Sequence, residues 1–393
     1  MKSSREEKSR ISLTVFYVAS FLNDFGSDMI YPIWPKFVVL LPGANMAVLG
    51  LLDGLGDAIV SVSQAFSGYV SDRSGKRKLF IWTGYLFGSA SRIGYALSTA
   101  WQHLIPFRVL DRFGKIRGAP RDAMVADFST QQNRGKNFGV LRAMDNLGAV
   151  CGILASIFLF SMLGYSNLFL VASVPSIISV ILILIFIKDK KTATLFKGLS
   201  LKDFTPNLRL FLLLSAIFAL GAFSYSFLLL YADLLSFRIP FFFEIPEMAV
   251  FYLVFTVVAS LMSMPFGKLA DMVGRKRVLL LSYIFWGALC WGFVYADSLT
   301  GLVFLFILFG LHKAAADPVQ RTFISELAPT KYRASILGAY QLVVGLFALP
   351  ASVIAGTLWV SFGMLAPFYF SFILTCVATL LLLFVHERRP QRG

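Results

Sequence analysis

Long apolar segments alternate with short polar segments along the whole chain. An apolar stretch of about 20 residues is long enough for a helix to cross the hydrocarbon core of a bilayer. Windows of this kind predict twelve membrane-spanning helices, at roughly 12–35, 46–70, 79–98, 102–126, 138–160, 167–187, 209–233, 248–270, 278–295, 300–325, 335–357 and 365–385.

The two halves of the chain repeat a charged sequence. Residues 68–78 read GYVSDRSGKRK and residues 267–277 read GKLADMVGRKR, so that Asp271 follows Asp72 by 199 positions. The same spacing joins Asp127 to Glu326 and Arg134 to Arg333. Because six predicted spans precede the basic segment 188–207 and six follow it, we expect a duplicated chain with a linker at 188–207 between six-helix bundles at 1–187 and 208–393.

Composition and charge place the chain in a membrane. Hydrophobic residues make up 57% and charged residues 15% of the 393 positions, whereas a soluble domain carries about 25% charged residues. The net charge of +15 reflects topology, because the segments predicted to face the cytoplasm hold 24 Lys and Arg and the outward segments hold only Lys36 and Arg238. We expect a multi-pass protein of the cytoplasmic (inner or plasma) membrane with both termini cytoplasmic, and no nucleic-acid partner.

The first apolar stretch follows basic residues, as a signal peptide would. It is longer than the usual apolar core of a signal peptide and carries Asp24 and Asp28, so we expect an uncleaved first span. Cys151, Cys290 and Cys376 stand far apart inside spans and show no paired spacing. They predict neither a disulfide nor a metal site, and we expect no cofactor.

The two charged loops, GxxxDRxGKRK and GxxxDxxGRKR, each between the second and third span of a half, resemble the signature loop of the major facilitator superfamily. The resemblance extends to the twelve spans, the basic central linker and the cytoplasmic termini. It implies an all-α membrane protein with twelve transmembrane helices in two pseudo-symmetric six-helix bundles, and transport by alternating access. It names no cargo.

The repeated loops predict a latch between the halves. Asp72 and Asp271 stand at the membrane boundary, where a carboxylate can face the positive N-terminal end of a helix of the opposite half. Gly75 and Gly274 allow a tight turn, and the basic run after them would anchor the next helix in anionic headgroups. The alternative is that the basic loops are topology signals only. The predicted latch residues are Gly68, Asp72, Arg73, Gly75, Arg77, Asp127, Arg134, Arg142, Asp145, Gly267, Asp271, Gly274, Arg275, Glu326 and Arg333.

Charged residues inside spans are costly and indicate a functional site by default. In superfamily members spans one, four, seven and ten line the central cavity, and this resemblance implies a substrate and coupling site formed by Asn23, Asp24, Asp28, Arg108, Asp111, Arg112, Lys115, Tyr225, Tyr231, His312, Lys313 and Asp317. Asp24 and Asp28 share a helix face, with Arg112 and Lys115 as candidate neutralisers. The alternative is permanent salt bridges that hold the spans together. Asp53 and Asp57 stand among glycines, and the glycines predict that this stretch packs tightly against a neighbouring helix.

The chain has no Gly-rich phosphate loop, nucleophile elbow or metal-ligand cluster, so an enzyme or ATP-driven pump is disfavoured. We expect a monomeric secondary transporter of a small polar or charged organic solute, an organic anion or a metal chelate such as a siderophore. Protons or another ion would drive it, with uptake favoured. Proton-driven multidrug efflux is the alternative within this class, and a non-transporting membrane receptor or scaffold of the same fold is the alternative from another class.

Overall fold

The computed structural model describes residues 2–130, 133–189, 204–235, 246–327 and 333–387, and this part of the chain is helical almost throughout. Its helices are α1 (Lys2–Asp28), α2 (Trp34–Leu40), α3 (Met46–Ser74), α4 (Arg77–Leu97), α5 (Trp101–Phe113), α6 (Gly118–Phe128), α7 (Arg134–Phe186), α8 (Pro206–Gly221), α9 (Tyr225–Leu234), α10 (Glu247–Val273), α11 (Arg275–Val294), α12 (Leu299–Leu327), α13 (Arg333–Phe362) and α14 (Ala366–Phe384), with a 3-10 turn at Gly114–Arg117.

These helices account for the twelve predicted transmembrane helices. The first span consists of α1 and α2, the fourth of α5 and α6, and the seventh of α8 and α9. Helix α7 supplies the fifth and sixth spans, because Gly164 breaks it with a φ of 64° that only glycine adopts easily. Eight segments of the described chain are long and apolar enough to cross a membrane by composition alone. The first, third and fourth spans are interrupted by polar and charged side chains.

The chain divides into two compact units. Unit one comprises Met1–Ala44, Ile59–Phe196 and Pro240–Ala249, and unit two comprises Asn45–Ala58, Lys197–Ile239 and Val250–Gly393. Helix α3 therefore contributes its first part to unit two and its later part to unit one. Most of the predicted linker 188–207 lies outside the described residues, and the repeat boundaries stay a prediction.

Each unit has its own apolar core. In unit one, Phe16, Tyr85, Leu141 and Ile183 are fully buried where α1, α4 and α7 meet. In unit two the core is aromatic, and the Phe218 and Tyr283 rings stack with their centroids 4.0 Å apart. Close packing of this kind stabilises helix association in lipid, where burial from water contributes little.

Both charged loops turn where their glycines were predicted to allow it. Helix α3 ends one residue before Gly75, whose φ is 66°, and α10 ends one residue before Gly274, whose φ is 104°. Left-handed backbone at the end of a helix favours glycine and reverses the chain within one or two residues. The basic run therefore begins the next helix in both halves.

Candidate functional site

Three spans that carry or adjoin candidate site residues are broken within their length. The helix stops at Asp28 and resumes at Trp34 in span one, stops at Gly221 and resumes at Tyr225 in span seven, and passes through the 3-10 turn Gly114–Arg117 in span four. Irregular backbone is tolerated within a membrane only where protein or a water-filled cavity surrounds it. Breaks of this kind commonly accompany binding sites in transporters.

In unit one the helix before the 3-10 turn carries a buried group of charges, which we call the arginine–aspartate cluster: Arg108, Asp111 and Arg112. Asp111 Oδ2 lies 3.5 Å from Arg112 Nε and 4.0 Å from Arg108 Nη1. The exposed fractions of the side chains of Arg108, Asp111 and Arg112 are 3%, 8% and 11%. Within the described chain Asp111 Oδ2 accepts no hydrogen bond, so the contacts of this oxygen with the two guanidinium groups are long ion pairs.

Aromatic side chains of span one lie against the same arginines. The Arg108 guanidinium carbon is 4.4 Å from the ring centre of Trp34, and that of Arg112 is 5.0 Å from the ring centre of Tyr31. Arg112 Nη1 also donates to Tyr31 Oη at 3.4 Å. Cation–π contacts stabilise a guanidinium away from water while leaving its N–H groups able to bind an acceptor. The cluster therefore joins spans one and four.

The other predicted site residues of unit one lie on α1 and on the 3-10 turn. Asn23 Nδ2 donates to Asp24 Oδ1 at 2.8 Å, and Asn23 Oδ1 accepts from Ser176 Oγ at 3.2 Å. Asp28 is buried at the end of α1, and Lys115 is half-buried on the 3-10 turn. The predicted pairing of Asp24 or Asp28 with Arg112 or Lys115 stays a prediction.

Arg92 is a buried cation that the candidate set left out. Its guanidinium donates to Ala172 O and Ser176 Oγ at 2.7 Å each, to Ser27 Oγ at 2.8 Å and to Asn23 O at 3.3 Å. These neutral acceptors come from α1 and α7, so Arg92 ties both helices to α4. A single arginine in the Gly- and Ser-rich stretch GSASRIG was the available signal, because small residues leave room for a guanidinium between helices.

In unit two the predicted site residues differ in burial and in the partners that they contact. Tyr231, which is 4% exposed, packs against Phe293, and Tyr225 packs against the ring of Tyr252. His312 is buried, and its Nδ1 lies 2.9 Å from Ser282 O. Because a carbonyl oxygen only accepts, Nδ1 carries the hydrogen.

Two charged residues of span ten lie outside that core. Lys313 Nζ lies 3.2 Å from Asp317 Oδ1, and their side chains are 42% and 55% exposed. They share one exposed face of α12 at i, i+4 spacing. The pair is thus accessible, in contrast to the neighbouring His312.

The basic run after Gly75 binds within unit one. Arg77 Nη1 forms an ion pair with Asp127 Oδ2 at 2.6 Å, and the Arg77 side chain is only 8% exposed. The backbone N–H of Lys78 donates to Asp189 Oδ1 at 2.7 Å, and Lys78 Nζ donates to Leu184 O at 2.8 Å. These contacts join the start of α4 to the ends of α6 and α7, where the sequence predicted an anchor in lipid headgroups.

Unit two repeats this arrangement with a shift of one residue. Arg275 pairs with Glu326 at 3.1 Å and with Asp271 at 2.7 Å. Glu387 Oε1 accepts from the backbone N–H of Arg275 at 2.5 Å, and Lys276 Nζ donates to Leu383 O at 2.7 Å. The start of α11 is therefore joined to the ends of α12 and α14.

A closed network of charges lies beside the unit-one contacts. Arg121 Nη1 lies 3.4 Å from Asp145 Oδ1 and hydrogen-bonds Ser20 Oγ, and Arg121 Nη2 lies 3.1 Å from Asp122. Arg142 closes the network, at 3.0 Å from Asp145 and 2.9 Å from Asp122. Arg142 and Asp145, predicted latch residues, thus bind α7 to α6 and α1.

The remaining predicted latch residues make few contacts or have side chains that the structure does not describe. Arg73 is exposed and donates to Tyr69 Oη at 3.3 Å. A Cβ on Gly68 would meet only Ala119, at 3.5 Å, and one on Gly267 would meet no described heavy atom within 4 Å. The side chains of Asp72, Arg134 and Arg333 lie outside the described residues, so the latch between the halves stays a prediction.

Comparison with known proteins assigns the family. The sequence profile of the Major Facilitator Superfamily matches residues 16–262 and 245–393. An uncharacterised MFS-type transporter of Methanocaldococcus jannaschii is 36% identical over 393 residues, which are 98% of each chain. The quinolone resistance protein NorA of Staphylococcus aureus is 27% identical over 183 residues, 46% of each chain.

A solved structure has the same fold. A mutant of the nucleoside transporter NupG superposes with a TM-score of 0.78 over 95% of this chain and 100% of that one, at 15% identity. At this identity the likeness concerns the fold alone.

Proposed function

The chain belongs to the major facilitator superfamily and is a secondary transporter, not an enzyme, and on that premise we propose that its cargo is a small organic anion. A carboxylate or an anionic metal chelate such as a siderophore fits this description. The cargo binds at the arginine–aspartate cluster, next to the breaks in spans one and four. Transport proceeds by alternating access across the cytoplasmic membrane, with both chain termini cytoplasmic.

The surplus of positive charge around the cluster carries this proposal. Residues 20–35 and 90–117 contain five Arg and Lys against three carboxylates: Arg92, Arg108, Arg112, Lys115 and Arg117 against Asp24, Asp28 and Asp111. Burying unbalanced charge within a span costs several kcal/mol or more by order of magnitude. A bound anion would lower that cost, which a neutral or cationic solute could not do.

The geometry of the cluster suits an exchange of partners. Asp111 Oδ2 lies 3.5 Å from Arg112 Nε, and neither of these two atoms makes a hydrogen bond within the described chain, so a substrate carboxylate can take the place of this oxygen at the guanidinium. A guanidinium binds a carboxylate through two parallel N–H donors, a stronger contact than the loose one to Asp111. The rings of Tyr31 and Trp34 hold the arginines from the other side and offer an apolar surface to the organic part of the cargo.

The proposal includes proton coupling at two carboxylates of span one. Asp24 and Asp28 share a face of α1, at i, i+4 spacing. A proton taken up at this pair would offset the negative charge of the cargo. We therefore favour proton-driven uptake, with protons and an organic anion moving together.

Proton-driven drug efflux is the second candidate, because NorA is similar over 183 residues. It predicts an apolar cargo whose binding does not depend on Arg112. The two candidates differ in the charge of the solute that the protein stabilises.

Purified protein in proteoliposomes separates the two candidates. We expect thermal stabilisation and labelled flux with carboxylates such as citrate, benzoate or a ferric hydroxamate, and none with tetraphenylphosphonium. Arg112→Gln should abolish both effects, whereas Arg277→Gln, which removes an exposed cation from the start of α11, should change neither. Stabilisation by lipophilic cations that survives Arg112→Gln would refute the anion proposal in favour of efflux.

A further inference from the structure

Arg117 is a buried cation of span four that makes no ion pair with any described residue. It lies at the end of the 3-10 turn Gly114–Arg117 and is 6% exposed. Within the described chain its guanidinium donates one hydrogen bond, from Nη1 to Gly114 O at 2.8 Å. A guanidinium has several N–H donors and no acceptor. Most donors of this buried cation are therefore able to bind a further acceptor.

Two other buried arginines of unit one have more acceptors around them. Arg92 donates to four neutral oxygens of α1 and α7. Arg121, which follows Arg117 by one turn in span four, forms ion pairs with Asp122 and Asp145. A charge removed from water is costly unless hydrogen bonds or an opposite charge compensate it. The described contacts of Arg117 compensate its charge less than those of either arginine do.

A second unsatisfied donor lies beside Arg117. The Arg117 guanidinium carbon is 5.1 Å from the ring centre of Tyr85 in α4. Tyr85 is fully buried, and its hydroxyl makes no hydrogen bond within the described chain. Buried hydroxyl groups nearly always have a hydrogen-bond partner. An acceptor placed between the two groups would satisfy both, and the positive charge of Arg117 favours an acceptor that is negatively charged.

Backbone packing fixes these two side chains next to each other. A Cβ on Gly84 would lie 2.5 Å from Gly114 O and 2.8 Å from Arg117 Cβ, and a Cβ on Gly114 would lie 2.7 Å from Gly84 O. Helix α4 and the 3-10 turn thus touch backbone to backbone, as small residues allow between membrane helices. Because Tyr85 directly follows Gly84, its phenol is held close to the guanidinium. Donors fixed in this way bind a ligand without a cost of ordering them first.

The second half of the chain shows that this place in the fold does not require an arginine. Tyr283 of α11 follows Tyr85 by 198 positions, the spacing also found for the paired arginines of the charged loops. Residues 315–316, which follow Arg117 by 198 and 199 positions, are both buried alanines. The ring of Phe218 stacks on Tyr283 instead. Packing alone therefore does not explain Arg117, which favours a ligand-binding role for this residue.

We propose that Arg117 and the hydroxyl of Tyr85 bind a small inorganic anion, such as chloride, inside unit one. The guanidinium N–H groups and the phenol O–H donate to the anion, and the charge of the anion balances that of Arg117. The site shares no residue with the arginine–aspartate cluster and does not depend on the proposed cargo. It makes the stability of the protein depend on the concentration of the anion.

Thermal unfolding of the purified full chain in detergent tests this without any cargo. Sodium chloride should raise the wild-type midpoint by about 2 °C or more over sodium gluconate at equal ionic strength, because an anion that binds the folded state stabilises it. Bromide should act as chloride does. Arg117→Gln should lose the difference between the two salts. Tyr85→Phe removes one donor and should raise the chloride concentration of half-maximal effect about threefold to tenfold.

Tyr283→Phe is the matched control, because it removes the corresponding hydroxyl of unit two, and it should keep the chloride effect. Arg112→Gln should keep it as well. A wild type without chloride dependence, or a dependence that Arg117→Gln and Tyr85→Phe leave unchanged, overturns the proposal. Since Tyr85→Phe removes a hydroxyl without a described hydrogen-bond partner, it decides alone where Arg117→Gln does not fold.

The same variants separate this site from the proposed cargo site. A chloride effect that is lost in Arg112→Gln and kept in Arg117→Gln would place the anion at the arginine–aspartate cluster and overturn the proposal. Because no carboxylate is used, a protein without chloride dependence leaves the cargo proposal standing. A failure to bind carboxylates likewise leaves the chloride site standing.

Discussion

Arg77 and Asp127 stand 50 positions apart in the sequence and meet in an ion pair of 2.6 Å. The contact joins the first residue of α4 to the end of α6. In unit two, Arg275 and Glu326 make the corresponding contact at 3.1 Å. The carboxylates correspond at the repeat spacing of 199, whereas the arginines are 198 positions apart. The same kind of ion pair is thus present in both units, and its cation stands one residue earlier in the second unit than the spacing of 199 predicts.

Removing the cation of this pair should destabilise unit one. Arg77→Gln removes the cation of the ion pair with Asp127 at a site where the arginine is 8% exposed. We expect a loss of about 1–3 kcal/mol in the free energy of unfolding, measured in detergent. Arg277→Gln, at an exposed position, should change it by less than about 0.5 kcal/mol. A double-mutant cycle of Arg77→Gln with Asp127→Asn that shows no coupling would contradict the structural role.

In the Arg121 network, the buried arginine should contribute more to the free energy of unfolding than the exposed one. Arg121→Gln removes the buried cation that pairs with Asp122 and Asp145 and should cost about 3–5 kcal/mol in the free energy of unfolding. The Arg142 side chain is 53% exposed, so Arg142→Gln should cost less than about 1 kcal/mol. Thermal unfolding of the two variants side by side measures the difference. Equal losses would mean that burial does not set the strength of this network.

Glu387 should stabilise the start of α11. Its carboxylate accepts from the backbone N–H groups of Arg275 and Lys276, at 2.5 Å and 3.3 Å. Glu387→Gln should cost about 1 kcal/mol and speed amide exchange in the first turn of α11. Asp271→Asn serves as the control, because that side chain is 68% exposed and pairs at the surface. Unchanged exchange in Glu387→Gln would show that the cap is dispensable.

The aromatic and guanidinium parts of the proposed anion site should contribute unequally. Tyr31→Phe keeps the ring under Arg112 and removes a long hydrogen bond of 3.4 Å, so anion affinity should fall by less than about threefold. Arg112→Lys keeps the charge but loses the planar pair of donors, and affinity should fall about tenfold or more. Titration calorimetry with whichever carboxylate stabilises the wild type measures both. A larger loss in Tyr31→Phe would assign binding to the hydroxyl instead.

The sequence by itself determined the class, the number of spans and the family. Windows of about 20 apolar residues marked all twelve spans, because a helix needs about that many residues to cross the hydrocarbon core of a bilayer. The ends of the predicted spans agree with the helices to within a few residues except at span one, where α1 extends to the N-terminus. Repeated charged loops and the resemblance that they carry indicated the superfamily, which the comparisons confirm.

Only the tertiary structure decided where spans break and which charges meet. A hydropathy window averages over three to five non-helical residues, so the breaks at 29–33 and 222–224 left no mark in it. Partners such as Asp53 and Ser224, 171 positions apart, are chosen by helix packing. The sequence showed that Asp53 stands among glycines, but the glycines only permit close approach. The helix that comes close determines whether the carboxylate meets a cation, a hydroxyl or the start of a helix.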